Sequence, residues 1–143
     1  RVEGDVVKLA TVRMTASDRR MLKALLDDAR QCVARGTDAA ADFLTADKNI
    51  HVCFAKITGN PIYISVLKTI HENIRRYYDE FLVMEAPEMS ENMQDLEDVV
   101  GAMEKGEAQK AGDIARTHVR RFNGYMERRK RQHGQSSENG TRR

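Results

Sequence analysis

The feature that most constrains this chain is a corner, Gly59-Asn60-Pro61. Glycine suits the left-handed C′ position that ends a helix. Asparagine is a favoured N-cap, and proline fits the first position of the helix that follows. Three residues therefore stop one helix and start the next, which leaves room only for two consecutive helices packed side by side. Just upstream lies Asp47-Lys48-Asn49-Ile50-His51. On a helix, Asp47 and His51 are only about 40° off one line, so both side chains leave the same face one turn apart. Phe43, Leu44, Ile50, Phe54 and Ile57 surround the pair at helical spacings. At least one of the two therefore lies near the buried stripe, where a polar group needs a partner. An Asp and a His four apart on a helix arise often by chance, as a solvated or merely hydrogen-bonded pair. The same pair can share a divalent metal, or the carboxylate can orient the ring.

Helical periodicity continues on both sides of the corner. Residues 2–13 place Val2, Val6, Leu9 and Val12 or Arg13 at spacings of three and four, predicting a short amphipathic helix. Thr15-Ala16-Ser17-Asp18 is a helix-start cluster, and Met21, Leu22, Leu25, Leu26, Ala29 and Val33 form a stripe that ends at Gly36. Thr37-Asp38 starts the third helix, which carries the Asp47–His51 pair to Thr58. The fourth helix is expected from Pro61 to about Met84, with Ile64, Leu67, Ile70 or His71, Ile74 and Tyr78 inward. Arg75-Arg76-Tyr77-Tyr78 is a basic and aromatic run, but on a helix its four side chains point in four directions and form no nucleic-acid surface. After a break at 85–90, Ser90 is expected to cap a fifth helix with Met93, Leu96, Val99, Val100 and Met103 on its face. Lys105-Gly106 ends it. Glu107 opens the last helix, along which Ala111, Ile114, Ala115, His118, Phe122 and Tyr125 follow one stripe.

With no strand pattern and no repeat, the chain reads as an all-α protein, an antiparallel bundle of six to seven helices. Its 143 residues fit one domain, and at 41% hydrophobic they suffice for one core. A net charge of +2 names no partner. Cys32 and Cys53 have no paired spacing and read as reduced thiols of a cytoplasmic protein. No apolar run is long enough to span a bilayer, so no membrane partner is expected. The basic run from Arg128 to Arg131, followed by the polar residues 132–143, reads as a frayed helix and a disordered tail.

Three inward-phased histidines (His51, His71 and His118) and Asp47 thus come from three different helices. A bundle core with convergent polar groups is a usual place for a metal or small-ligand site. His71 can equally be a core histidine satisfied by a neighbour. For an enzyme, no second acid or base stands beside the metal candidates, and no HExxH or activated nucleophile pair is present. A plain helical dimerisation module with satisfied buried histidines is the third reading.

The order of these features resembles the C-terminal effector domain (FCD domain) of the FadR subfamily of GntR-type bacterial transcription regulators. Val2-Glu3 with Lys8-Leu9-Ala10 looks like the opening helix of that family. Leu22 to Gly36 looks like its second helix. Asp47 and His51, with Ile50 where the family usually has Phe, followed by Gly59-Asn60-Pro61, look like its centre. Gly101 to Glu107 looks like the corner before the last helix. Ala115 to His118 looks like that helix, an alanine followed by a histidine.

The resemblance implies a small-molecule sensor rather than an enzyme. In the family, an Asp and three His of the bundle core hold a divalent metal (zinc, nickel or manganese) that helps to bind a carboxylate metabolite. Asp47, His51 and His118 match three of these ligands, while the place of the middle His falls on Leu96, beside Asp95 and Glu97. His71 on the neighbouring helix is the candidate fourth ligand, and Arg75, Asn92 and Leu96 are the candidate effector-binding residues. The expected organisation is a ligand-binding bundle over 1–131 and a tail over 132–143. A homodimer is expected, with DNA contacted only through an N-terminal winged-helix domain absent from this chain, which starts at Arg1 rather than Met.

Overall fold

The structure, a computed structural model, describes the backbone of residues 1–81 and 84–141. It describes the side chains of these residues except 80–81, 129–130, 133 and 135–141. Its elements are α1 (Val2–Arg13), α2 (Ala16–Arg35), a single 3-10 turn (Thr37–Ala39), α3 (Ala40–Thr58), α4 (Pro61–Phe81), α5 (Ala86–Glu104) and α6 (Ala108–Thr141). The described residues contain no strand. The protein is an all-α bundle, as its periodicity predicts.

Local chemistry sets most boundaries. Thr15 and Asp18 form a reciprocal capping box at the start of α2, each side chain meeting the other's backbone N–H. Gly59 ends α3 with φ 70°, and the Asn60 side chain accepts from the Ile62 N–H at 2.9 Å. Arg13 donates to the Thr58 carbonyl, fastening the end of α1 to this corner. Other boundaries differ from expectation. Helix α5 starts at Ala86 with Pro87 in its first turn, so Ser90 lies inside the helix rather than at its cap. Proline is well placed there, because the first N–H groups of a helix have no partner to lose. Helix α4 is described as far as Phe81, and residues 82–83 of its expected span lie outside the described residues. Helix α6 continues to Thr141 where a tail without structure was expected from 132. No proline interrupts it, and the run from Glu127 to Gln132 consists of strong helix formers.

The core is shared by all six helices and includes Phe43, Ile50 and Phe54 of α3, Leu22 of α2, Leu67 of α4 and Leu96 and Met103 of α5. Helix α1 turns a different face inward from the one its apolar residues suggest. Val12 is 77% exposed and Val2 is exposed, whereas Glu3, Gly4, Val6, Val7, Ala10 and Thr11 are buried. Close packing on α6 decides this. A Cβ added to Gly4 would stand 3.0 Å from the Gly112 carbonyl oxygen, and one added to Gly112 would stand 3.0 Å from that of Gly4. The backbones cross at these two glycines, and the crossing carries Glu3 into the core.

Candidate metal centre

Five buried titratable side chains meet where α1, α3, α4 and α6 converge. Asp47 and His51 come from α3, His71 from α4, His118 from α6 and Glu3 from α1, and none is more than 5% exposed. The three imidazoles form a stack. His71 lies 4.0 Å from His51, ring centre to ring centre, and His118 lies 5.7 Å from it on a nearly parallel plane. His51 Nε2 bonds Asp47 Oδ1 at 3.1 Å, and its Nδ1 faces the Glu3 carboxylate. His71 Nε2 stands 3.4 Å from Glu3, and its Nδ1 stands 3.7 Å from Asp47 Oδ2.

Electrostatics bind these groups into one unit. Burial disfavours ionised Glu3 and Asp47, yet His51 outweighs it and holds both carboxyls well below the usual carboxylate range. Burial likewise opposes charge on His51, but Glu3 and Asp47 together push its pKa up to about 10. Two buried carboxylates around one imidazolium call for positive charge, which a divalent cation also supplies.

The donor set fits such an ion. Two groups of three, Asp47/His51/His118 and Glu3/His51/His71, each present ligand atoms within 4.8 Å of one another. Imidazole nitrogen and carboxylate oxygen are ordinary ligands for zinc and for other divalent transition metals. His118 has the support expected of a ligand. Its Nδ1–H donates to Asp95 Oδ2 at 2.8 Å, which leaves Nε2 as the free ring nitrogen. Arg121 in turn holds Asp95 at 2.8 and 3.1 Å and pairs with Glu91 at 3.0 Å, and the Tyr125 hydroxyl donates to Glu91 at 2.7 Å. Burial raises the Asp95 pKa, but His118 and Arg121 hold its carboxyl below the ordinary range. Cys32 and Cys53 stand apart as free buried thiols whose burial pushes their pKa up, which makes them poor ligands.

The fold thus gathers Asp47, His51, His71 and His118. Leu96 and Asn92 lie buried on α5. Arg75 is not brought to the cluster. It is exposed on α4, in a depression of about 260 Å³ with Lys48, Glu72, Arg76 and Asp79. Although it lies one turn from His71 in sequence, α4 has its outer face to solvent there. A groove of about 370 Å³ lies between α4 and α6, one to two turns beyond His71 and His118, lined by Asn73, Ile74, Tyr77, Asn123, Met126 and Glu127. Phe122 packs between His118 and Tyr78 on that side. Sequence reasoning assigned no role to Glu3 or Asp95. Glu3 falls three, four and seven residues before Val6, Val7 and Ala10, and that spacing was the available signal.

The bundle aligns with a solved structure, E. coli McbR/YncC, at a TM-score of 0.75 and 14% identity, over 89% of this chain and 59% of that one. At that identity the likeness is one of fold, and the chain spans 59% of that structure's length. No match is found among curated proteins. The family model of the FCD domain matches residues 1–121, the stretch that contains all five residues of the cluster and its Asp95 support. The chain belongs to the FCD domain family.

Proposed function

We propose that this domain senses a small metabolite for a GntR-type bacterial transcription regulator of the FadR subfamily, in the cytoplasm. The observation that carries the reading is a buried metal-capable cluster within a chain of the FCD family. A divalent ion, zinc, nickel or manganese, is held within the buried cluster centred on His51, where the resemblance points to Asp47, His51 and His118 with His71 as a fourth, and where Glu3, His51 and His71 form a second donor group. When bound, the ion supplies a positive centre with open coordination positions for a metabolite carboxylate. The chain's own residues exclude water from that centre, orient the His118 imidazole through Asp95, and offer the α4–α6 groove as space beside it. Residues 1–131 form the sensing bundle, and a homodimer of the intact regulator reads DNA through an N-terminal winged-helix domain outside this chain.

A regulatory role is favoured over a catalytic one because the carboxylates and imidazoles of the cluster face one another, and His118 faces Asp95. Among the described residues none is paired with a serine or cysteine nucleophile. The test is a thermal melt of chelator-treated protein with zinc, nickel or manganese, alone and then with a panel of small carboxylic acids. A sensor gains melting temperature by mass action with ligand concentration. A chain whose melt ignores every metal and every acid is no sensor of this kind.

A further inference from the structure

The two donor groups share His51, and they differ in what their atoms already do. In the group on the α6 side, Asp47 Oδ1 is bonded to His51 Nε2, and His118 Nδ1 is bonded to Asp95. On the α1 side, Glu3 Oε1 and His51 Nδ1 are buried against each other without hydrogen-bond geometry, His71 Nε2 stands 3.4 Å from the same carboxylate, and His71 Nδ1, likewise buried without hydrogen-bond geometry, faces Asp47 Oδ2 at 3.7 Å. Buried polar atoms without a hydrogen bond are rare and want an explanation. The α6 side is also the side that lacks an imidazole, since Leu96 stands where the resemblance implies a histidine. The separation of 3.4 Å between His71 Nε2 and the Glu3 carboxylate matches two ligands of one tetrahedral ion. Bonds of about 2.1 Å at that angle place their ligand atoms roughly 3.4 Å apart.

We infer that the divalent ion is held by Glu3, His51 and His71, a set displaced toward α1, with His118 dispensable for binding it. This rests on the reading that the cluster binds a metal at all. An imidazole accepts a metal in its own plane, and the His51 and His71 planes lie 15° from parallel. Loading therefore turns one ring out of the stack. The ion completes the charge balance of the two carboxylates, and it ties α1 directly to α3 and α4. Asp47 stays within reach on the far side of the pair, bonded to His51 Nε2.

The experiment uses the whole chain, stripped with chelator and titrated with zinc alone. Bound zinc is counted by mass spectrometry, affinity is measured by competition with a chromophoric chelator, and circular dichroism checks the helical fold. Glu3→Gln and His71→Asn are each expected to weaken zinc binding beyond the roughly 10–100-fold that loss of a merely supporting group costs. His118→Asn, which can still bond Asp95, is expected to stay within about tenfold of wild type, less than a supporting group's full effect. Should Glu3→Gln fail to fold, Glu3→Asp keeps the charge but withdraws the oxygens, and it should weaken zinc binding in a folded protein. Full zinc binding by Glu3→Gln, or by Glu3→Asp where that variant stands in, together with its loss in His118→Asn, overturns the displaced set and leaves the metal reading intact. Wild-type protein that takes up no zinc overturns the metal reading itself.

Discussion

His118 Nδ1 donates to Asp95 Oδ2 at 2.8 Å, and both side chains are largely buried between α5 and α6. Asp95 sits one residue before Leu96, so α5 keeps its hold on the last helix through a carboxylate although it offers no imidazole. The same carboxylate accepts twice from Arg121. Asp95 is therefore the hub of the α5–α6 contact on the side away from Glu3.

Replacing it tests this role. Asp95→Ala strands the His118 N–H in a buried site and leaves Arg121 with Glu91 as its remaining partner. An unsatisfied buried donor costs about 1–3 kcal/mol, so urea unfolding should show a loss in that range. If the ion is on Glu3, zinc stoichiometry should not change in the same variant. Loss of zinc with little loss of stability would instead mark Asp95 as support for a ligand on α6.

The metal-free protein should be sensitive to pH in a defined direction. The folded state raises the His51 pKa from 6.5 to about 10. Its contribution is complete below about pH 6.5, the ordinary histidine value, and fades as pH rises toward 10. Glu3 and Asp47 are depressed, so their contributions hold above the ordinary carboxylate values and fade as pH falls through and below them. Melting temperature should therefore peak in mildly acidic buffer and decline on both sides. The two-dimensional NMR signals of the His51 ring should remain those of an imidazolium at pH 8. A neutral His51 ring at that pH would contradict the charge assignment.

The backbone crossing of α1 and α6 is tight enough to test by size. In Gly4→Val the new Cβ meets the Gly112 carbonyl oxygen at 3.0 Å before its methyl groups are placed. Overpacking of this kind costs typically about 1–3 kcal/mol. Because the strain falls beside Glu3, zinc affinity should fall along with stability. Val12→Thr on the exposed outer face of the same helix should change neither by a measurable amount.

How far the molecule was legible depended on whether a residue's role was local. Gly59-Asn60-Pro61 and the Thr15–Asp18 box act through their own backbone neighbours, and the structure has them where chain chemistry puts them. The inward phase of His51 and His118 followed from apolar neighbours at helical spacing, and His71 won over Ile70 for the inner face of α4, where Ile70 is 38% exposed. Glu3 was hidden because a carboxylate counts as an outward residue in any apolar stripe. Its burial depends on Gly4 meeting Gly112, a contact between residues 108 positions apart. Arg75 stands apart from the cluster for the opposite reason. Phase alone set it below His71, but the depression it lines is on the outer side of α4, with Lys48 and Glu72 paired at 3.0 Å in the same place.

The place of Leu96 offers the sharpest test of why the donor set is as it is. Leu96 is 1% exposed on α5, one residue from Asp95. If its apolar side chain is what drove the ion toward α1, then Leu96→His should return an imidazole to the α6 side. Metal-free, the variant buries a polar ring in an apolar place and should lose stability, by about 1–3 kcal/mol if the ring finds no partner. With zinc it should recover that loss, since a ligand that binds only the folded state stabilises it. In the double variant Glu3→Gln with Leu96→His, zinc binding should become independent of Glu3 and newly dependent on His118, which isothermal titration of the triple variant with His118→Asn would read directly. If the double variant binds zinc no better than Glu3→Gln alone, Leu96 is not what separates the two donor sets, and the α6 side lacks room for an ion whatever residue α5 supplies.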